Sequence, residues 1–365
     1  MSDAARAAFT SPQLLGEIGA LRYCVSLSHY PWTRDTEPRA AVARTIETVR
    51  QAEAAGIESC WLSEDPEGWD AFGVLGALAR ETERIRLGPG VANPYLRHPN
   101  LLAASVATLD HLSGGRAFLG LGRGQTEWYE RALGIPTGNP VDVLEETFDL
   151  LGQWWRPPHR ATAADTLAHF RVRDWERSIG PVQTRPRPPV YLAAAGPKAL
   201  DIAARHADGV LFNDLASIEY LESAIGRVRA TACEAGRDPE RLAFFVRGGV
   251  TVTDNPEPVL ERKKATIALI QTLPLMERLI GTPAFDTAAI MAEVRRVMRT
   301  EEILRRGGGF PALRKGGDLR AARAAIPTAL MDHLAIVGSL KHVRNRLGAL
   351  AAIGATHVFV DRNDG

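Results

Sequence analysis

Short apolar runs rich in β-branched and aromatic residues alternate along the chain with longer amphipathic stretches. The apolar runs predict eight strands, at 21–27, 59–63, 85–92, 117–122, 190–195, 210–212, 242–252 and 357–361. Periodic stretches at 39–55, 71–81 and 99–111 predict the helices that separate the first four strands. Strands that alternate with helices at this spacing predict an α/β fold, a (β/α)8 TIM barrel with insertions.

The loop after strand one argues against the other common α/β architecture. A doubly wound sheet needs a glycine-rich phosphate loop at this point. The sequence here, LSHYPWTRD, contains no glycine. We therefore expect a single barrel domain over 21–365, preceded by an N-terminal extension over 1–20.

Two segments are longer than a barrel connection requires. An excursion over 125–188 follows strand four, and an insertion over 258–326 lies between strands seven and eight. Between 292 and 323 the insertion carries nine Arg or Lys residues against four acidic ones, together with GGG at 307–309. Such a basic, glycine-rich segment is typical of a mobile lid, and the alternative is a solvated helical hairpin.

The composition excludes several classes of protein. Of 365 residues 45% are hydrophobic, which is enough for a large core. The net charge of +1 gives no overall attraction to nucleic acid or to an anionic membrane. Because no run of eighteen apolar residues is present and the N-terminus lacks the apolar core of a signal peptide, we predict a cytoplasmic protein.

The three cysteines give no sign of a disulfide framework or a metal site. Cys24, Cys60 and Cys233 are far apart in the sequence and form no CxxC pair. Free cysteine is among the most buried residue types. We expect all three to be unreactive thiols in the core, and no metal ligand.

Glycines follow the third and fourth predicted strands. Gly90 lies at the end of strand three, and Gly120, Gly122 and Gly124 lie at the end of strand four. Ligands bind at the C-terminal ends of the strands of a parallel barrel. Glycine there allows a flat ligand to lie against backbone that a Cβ would block, and the alternative is that these glycines only turn the chain.

The end of strand five has the features of an anion site. Ala195-Gly196-Pro197-Lys198 joins the strand to a helix, and proline suits a first helical position. The free N–H groups at a helix N-terminus favour an anion, and Lys198 adds a positive charge. A phosphate is therefore the predicted ligand, and a plain strand-to-helix turn is the alternative.

Two long motifs carry a resemblance to a known family. They are GVANPYLRHP followed by ATLDHLSGGRAFLGLGRG, and VYLAAAGPKALDIAARHADGVLF, with a weaker match at AIVGSLKHVRNRLGALAAIGATHVFV. The chain resembles the bacterial luciferase-like flavin oxidoreductases over 20–362. It looks most like the branch that uses the deazaflavin coenzyme F-420, which includes methylenetetrahydromethanopterin reductase.

The resemblance implies a set of cofactor-binding residues. In similar proteins a non-prolyl cis peptide, matched here by Gly90-Val91, supports the ring, and the loop after strand five holds the cofactor phosphate. The residues implied to bind the cofactor are Glu64, Gly90, Val91, Asn93, Arg123, Gly124, Ala195, Gly196, Lys198 and Ala199.

The resemblance also implies catalytic residues, with two departures from the family pattern. Aligning WLSEDPEGW on the W-x-S-D-H run of the deazaflavin enzymes places Asp65 on a histidine often assigned to acid/base work. Gln125 stands where several relatives carry a glutamate, and an amide orients a substrate but does not transfer a proton. We predict Asp65 as the acid/base group and Gln125 as a catalytic residue that orients the substrate.

Three functions remain open at this point. The first is an oxidoreductase that transfers a hydride between bound coenzyme F-420 and a small organic substrate. The alternatives are an FMN-dependent monooxygenase and a flavin-binding barrel without catalysis. NDLASIEY after strand six lacks the sugar-phosphate-binding lysine of the F-420-dependent glucose 6-phosphate dehydrogenases, which argues against that activity. Relatives pair through the helices after strands two and three, so the resemblance implies a homodimer.

Overall fold

A computed structural model describes residues 9–27, 37–64, 68, 70–163, 169–177, 185–273 and 276–361. Eight parallel strands form its centre. They are β1 (Arg22–Leu27), β2 (Ser59–Leu62), β3 (Arg86–Pro89), β4 (Leu119–Leu121), β5 (Val190–Ala193), β6 (Gly209–Phe212), β7 (Ala243–Val252) and β8 (His357–Val360). All eight lie where the apolar runs predict them.

The strands close into a barrel in sequence order. Hydrogen-bonded neighbours run β3-β2-β1-β8-β7-β6-β5-β4, all parallel. Parallel bridges between Leu87 and Ala117 and between Ala92 and Leu121 join β3 to β4 and complete the ring. The predicted (β/α)8 barrel is confirmed.

Seven helices pack around the strands. They are α1 (Pro38–Ala54), α2 (Ala71–Glu81), α3 (Pro99–Leu112), α4 (Pro140–Trp154), α5 (Pro197–His206), α6 (Ile218–Glu234) and α7 (Leu340–Ala352). Four of them begin with proline, which is pre-organised for the first helical position. Most of the others begin after a capping side chain, such as Asp70 before α2 and Ser217 before α6. A shorter helix, Pro12–Leu15, precedes the barrel.

Aromatic side chains fill the barrel interior. Trp61 on β2 is fully buried, and its ring lies 4.4 Å from that of Phe118 and 4.8 Å from that of Phe245. A Cβ on Gly88 would lie 2.4 Å from the carbonyl oxygen of Phe118, and a Cβ on Gly120 would lie 2.9 Å from Trp61. Both glycines are therefore required by the packing of these rings.

The segment between β7 and β8 is helical and has its own core. Its helices are Glu257–Thr266, Thr287–Met298, Thr300–Arg305, Phe310–Gly316, Leu319–Ala325 and Thr328–Leu334, with a π-helical turn at Ile267–Gln271 and a 3-10 turn at Met276–Ile280. Trp128 and Tyr129, from the helix Thr126–Leu133, are buried in this second core, and the Trp128 ring lies 4.6 Å from that of Phe310. Five of its predicted basic residues pair with glutamates: Arg295, Arg296, Arg299, Arg306 and Arg323. The segment is a packed helical layer in which glutamates pair with five of the nine basic residues.

The remaining elements are small. Arg160–Ala161 pairs antiparallel with Trp175–Glu176, and Val337–Gly338 lies beside β7. No helix among the described residues is long and apolar enough to cross a membrane.

Cys24 and Cys60 are buried as expected, but the expectation is wrong for Cys233, which is exposed on the outer side of α6. Helix periodicity places that position away from the barrel, a distinction that residue type alone does not make.

A charged cluster ties the N-terminal ends of four strands together. Glu58 Oε1 lies 3.2 Å from Arg22 Nη1 and 3.7 Å from Arg86 Nη1, and His357 Nε2 lies 2.8 Å from Glu58 Oε2. Burial by itself would raise the pKa of Glu58. Contact with His357 and the charges of the two arginines outweigh burial and lower that pKa to about 2.

Replacing Glu58 by Gln should lower the free energy of unfolding at pH 7 by about 1–3 kcal/mol, because the arginines lose their negative partner. A carboxyl whose pKa is lowered by folding stabilises the fold above its unfolded pKa, and this contribution disappears as pH falls through the folded value. The difference from wild type should therefore shrink between about pH 4.5 and about pH 2. Urea denaturation across this range measures it.

Glu222→Gln on the exposed side of α6 is the matched control, because it removes the same charge from a surface position. Equal stability of the two variants at pH 7 would contradict the role assigned to Glu58.

Candidate functional site

The implied cofactor residues lie on adjacent strands at one end of the barrel. Glu64 follows β2, Gly90 to Asn93 follow β3, Arg123 to Gln125 follow β4, and Ala195 to Ala199 follow β5. Because β2, β3, β4 and β5 are neighbours around the ring, these residues form one continuous arc at its C-terminal mouth. This is the face at which TIM barrels carry their active sites.

The glycines of this arc are needed for packing within the protein itself. A Cβ on Gly90 would lie 2.9 Å from Trp61 Cβ, and a Cβ on Gly122 would lie 2.7 Å from Val91 Cγ2. Gly124 has φ +62°, and a Cβ there would lie only 2.4 Å from the Tyr129 hydroxyl. Neighbouring side chains therefore already require glycine at these positions. Whether Gly90 and Gly124 also contact a cofactor stays a prediction.

The Gly90-Val91 peptide bond is cis, in agreement with the family feature. Val91 lies partly buried above the aromatic interior of the barrel, next to Gly122. It forms part of an apolar floor at the mouth.

Asn93 holds the turn that follows β3. Its side chain is buried, its Oδ1 accepts hydrogen bonds from the amides of Tyr95 and Leu96, and its Nδ2 donates to the Tyr129 hydroxyl at 3.2 Å. Both polar atoms are therefore engaged by the protein. A contact between Asn93 and a cofactor remains a prediction.

Glu64 forms an ion pair within the protein. Arg97 Nε lies 2.5 Å from Glu64 Oε1, and the same guanidinium also pairs with Asp70 and stacks on the ring of Phe72. The pair fixes the end of β2 against the loop that enters α3. Asp65 and Trp69, which follow in the sequence, lie outside the described residues.

Gln125 presents an amide at the mouth. It precedes the helix Thr126–Leu133, and its side chain makes no capping hydrogen bond to that helix. Arg123, two residues earlier, donates to Thr126 Oγ1 at 3.2 Å. The arc beyond β4 therefore offers hydrogen-bond donors and an amide oxygen to a bound molecule.

The N-terminus of α5 combines free donors with two cations. Its first helical hydrogen bond runs from Leu200 to Gly196, so the amides of Lys198 and Ala199 have no acceptor within the helix. Arg278 Nη1 lies 3.6 Å from the point that a Cβ on Gly196 would occupy. Within the described chain, neither Lys198 nor Arg278 has an ion-pair partner.

Tyr220 on α6 supports this loop from behind. Its hydroxyl donates a hydrogen bond to the carbonyl oxygen of Ala195 at 2.7 Å, and burial raises the pKa of the phenol. The phenol therefore stays protonated and keeps the donor in place. Ala195, Gly196 and the start of α5 form a fixed cradle that suits a phosphate.

A second charged cluster lies across the mouth, at the ends of β6, β7 and β8. Lys263 Nζ from the insertion lies 2.6 Å from Asp361 Oδ2, which also accepts from Thr251 Oγ1 at 2.9 Å. Arg247 on β7 donates to the Gly90 carbonyl oxygen at 3.2 Å. Asp214, at the end of β6, lies within electrostatic reach of Arg247, Lys263 and Asp361.

Several of these residues escaped the sequence analysis. Arg278 and Lys263 lie within the insertion over 258–326, Asp361 follows β8, and only the fold brings them together at the mouth. Asp214 lies in NDLASIEY, the run whose lack of a sugar-phosphate-binding lysine argues against a glucose 6-phosphate dehydrogenase. Its signal was visible: an acidic residue directly after an apolar strand of a predicted barrel.

A cavity of about 390 Å³ lies away from this site, on the outer helix layer between α4 and α5. It is lined by Phe148, Asp149, Gly152, Gln153, Arg156, Pro157, Pro158, Arg160 and His206. Because it lies outside the barrel mouth, it plays no part in the chemistry discussed below.

Comparison with known proteins agrees with this geometry. The chain is 26% identical over 329 residues to a 5,10-methylenetetrahydromethanopterin reductase of Methanolobus tindarius, covering 88% of this chain and 90% of that protein. It is 28% identical to a putative coenzyme F420-dependent oxidoreductase of Mycobacterium tuberculosis, covering 86% and 89%. Among solved structures, the coenzyme F420-dependent tetrahydromethanopterin reductase of Methanopyrus kandleri shares the fold, with a TM-score of 0.71 at 23% identity and 93% of each chain covered.

The family assignment rests on a match over nearly the whole barrel. The model of the family described as luciferase-like monooxygenase matches residues 22–357, from the first residue of β1 to the first residue of β8. The chain therefore belongs to the luciferase-like monooxygenase family.

Proposed function

We propose that this protein is an oxidoreductase that transfers a hydride between bound coenzyme F-420 and a small organic substrate. The observation that carries the proposal is the cradle at the start of α5, where amides without a helical acceptor and the Arg278 guanidinium lie beside Gly196, and Lys198 adds a second cation to the first helical turn. A relative described as a putative coenzyme F420-dependent oxidoreductase supports the choice of cofactor. The cytoplasmic location stays a prediction.

The described residues fit such a cofactor. The amides of Lys198 and Ala199 and the guanidinium of Arg278 would hold its phosphate, and Val91 would lie under its ring. The bound deazaflavin supplies the hydride chemistry, and the protein supplies orientation and a site shielded from water. The catalytic roles of Asp65 and Gln125 stay predictions from the sequence.

An FMN-dependent monooxygenase is the second candidate. FMN also carries a phosphate, so the cradle alone does not distinguish the two cofactors, and the family takes its description from monooxygenases. The two functions differ in what happens to the reducing equivalents: a monooxygenase consumes oxygen, whereas a deazaflavin enzyme passes a hydride to its substrate.

The proposal predicts oxygen-independent turnover of coenzyme F-420. Purified protein is mixed under argon with oxidised F-420 and a panel of secondary alcohols, or with reduced F-420 and carbonyl, imine and activated C=C compounds. At least one panel member should change the F-420 fluorescence catalytically. Oxygen consumption with reduced FMN, and no reaction with F-420, would instead favour the monooxygenase.

Substitutions in the cradle should weaken cofactor binding without unfolding the protein. Gly196 has φ −90°, so Gly196→Val creates no left-handed strain, but its side chain enters the space between the helix N-terminus and Arg278. Gly196→Val should abolish F-420 binding, and Arg278→Gln should weaken it by about tenfold, the usual effect of losing one exposed charge contact. Fluorescence titration measures both.

Arg320→Gln is the matched control for Arg278, because it removes a charge from the same insertion on a helix distant from the cradle. Coenzyme F-420 affinity that is unchanged in both Gly196→Val and Arg278→Gln would rule out the cradle as the phosphate site.

We further propose that the protein is a homodimer that pairs through α2 and α3. Leu101 and Leu112 are 51% and 37% exposed, and their spacing of three helical turns puts them on one face of α3. Gly73 and Gly76 leave the neighbouring surface of α2 flat, with Leu112 Cδ1 3.8 Å from the Cβ position of Gly76. A flat apolar face with protruding leucines suits packing against a second copy.

The double variant Leu101→Glu/Leu112→Glu should be monomeric at micromolar concentration, because two charges would be buried without partners at the centre of the interface. Light scattering measures the mass. Leu133→Glu is the control, since Leu133 is equally exposed, at 51%, on a different helix. A monomeric wild-type protein would contradict the proposed dimer.

A further inference from the structure

Asp214 lies at the mouth of the barrel, and no described side chain forms an ion pair with its carboxylate. It follows β6, which is hydrogen-bonded to β5, the strand that leads into the cradle. Its backbone amide is bonded to Asn213 Oδ1, and within the described chain no other side chain donates a hydrogen bond to its carboxylate. Asp214 is partly buried as a residue. Its place directly after β6 puts it at the end of the barrel where ligands bind.

The backbone around Asp214 is held firmly. Gln271, fully buried in the π-helical turn of the insertion, donates to the Asp214 carbonyl oxygen. The amide of Leu215 donates to the Arg247 carbonyl oxygen at 2.9 Å, and the amide of Ser217 donates to the Leu279 carbonyl oxygen at 2.7 Å. These contacts from β7 and from the insertion fix the backbone position of Asp214.

Three charged groups face Asp214 from the elements packed against it. Arg247 comes from β7, Lys263 from the insertion helix Glu257–Thr266, and Asp361 from the end of β8. Burial raises the pKa of Asp214 above its ordinary value. The two cations offset this rise only in part, and the negative charge of Asp361 adds to it.

Two other described acids at the mouth, Glu64 and Asp361, are occupied. Glu64 is paired with Arg97, and Asp361 is paired with Lys263 and accepts from Thr251. Gln125 does not exchange protons at ordinary pH. Asp214 differs from Glu64 and Asp361 in that, within the described chain, no cation forms an ion pair with it, so its carboxyl is free to move a proton.

We propose that Asp214 exchanges the proton that accompanies hydride transfer. When a C=O or C=N group is reduced, its carbon gains a hydride, and with it two electrons, from the reduced deazaflavin. Its oxygen or nitrogen gains a proton from the Asp214 carboxyl, which becomes a carboxylate. In the oxidative direction the carboxylate takes the proton back. General acid/base catalysis of this kind contributes about 10²–10⁴-fold to rate.

This assignment rests on the proposed hydride transfer, but one test of it needs neither cofactor nor substrate. A carboxyl whose pKa is raised by folding costs stability as the pH rises through the folded value, because the fold then holds a charge in an unfavourable place. Asp214→Asn removes that charge. The melting temperature of the variant should match wild type near pH 4 and exceed it by about 2 °C or more at pH 8.

Asp361→Asn is the matched control for this measurement. It also replaces an aspartate at the mouth, but that aspartate pairs with Lys263, so its melting temperature should fall below that of wild type at pH 8. A difference between Asp214→Asn and wild type that does not grow with pH would overturn the assignment.

The second test uses the panel compound that is turned over with coenzyme F-420. Asp214→Asn should lower kcat by about 10²–10⁴-fold, leave F-420 affinity within twofold, and remove one limb of the pH–rate profile. Asp214→Glu should recover part of the rate. The same variant series at Asp65 separates the two acids.

Wild-type turnover by Asp214→Asn would overturn the assignment, and loss of turnover only in Asp65→Asn would give the proton to Asp65. If coenzyme F-420 does not react with any panel compound, the proposed function fails. The melting profiles then decide by themselves whether Asp214 holds a proton at the mouth.

Discussion

The indole of Trp61 packs in the barrel interior, and close packing against this ring constrains the backbone of the neighbouring strands. The rings of Phe118, directly before β4, and Phe245 on β7 lie against it, at centroid distances of 4.4 and 4.8 Å. Because the interior is packed to this extent, Gly88, Gly90 and Gly120 have no room for a Cβ. The backbone of β3 and β4 therefore comes close to the barrel axis just below the mouth. The apolar floor on which a flat cofactor would lie is a consequence of this packing.

The insertion between β7 and β8 belongs to the site as much as the barrel does. It places Arg278 beside the start of α5, Lys263 beside the end of β8, and Gln271 against the backbone of Asp214. The insertion thus contributes residues both to the cradle at the start of α5 and to the charged cluster at the ends of β6, β7 and β8. Its buried core and glutamate-paired arginines favour a stable wall over a loose lid.

The sequence predicts the fold more fully than the site. The eight strands follow from short apolar runs, since period and length are local properties. The cradle at Gly196 also follows from local sequence, because the donors belong to one helix start. Arg278 and Asp214 were missed because their roles arise from contacts between segments far apart in the chain. The sequence does not reveal that Val91 packs against Gly122 and Tyr129 against Gly124, because these neighbours come from separate segments.

The central claim is that the mouth of this barrel binds coenzyme F-420 with its phosphate at the start of α5. A crystal structure of the wild-type protein with F-420 tests it most directly. The account predicts the phosphate within hydrogen-bond distance of the Lys198 and Ala199 amides and of the Arg278 guanidinium. It also predicts the deazaflavin ring above Val91. A phosphate bound away from α5, or a mouth left empty at saturating F-420, would contradict the account.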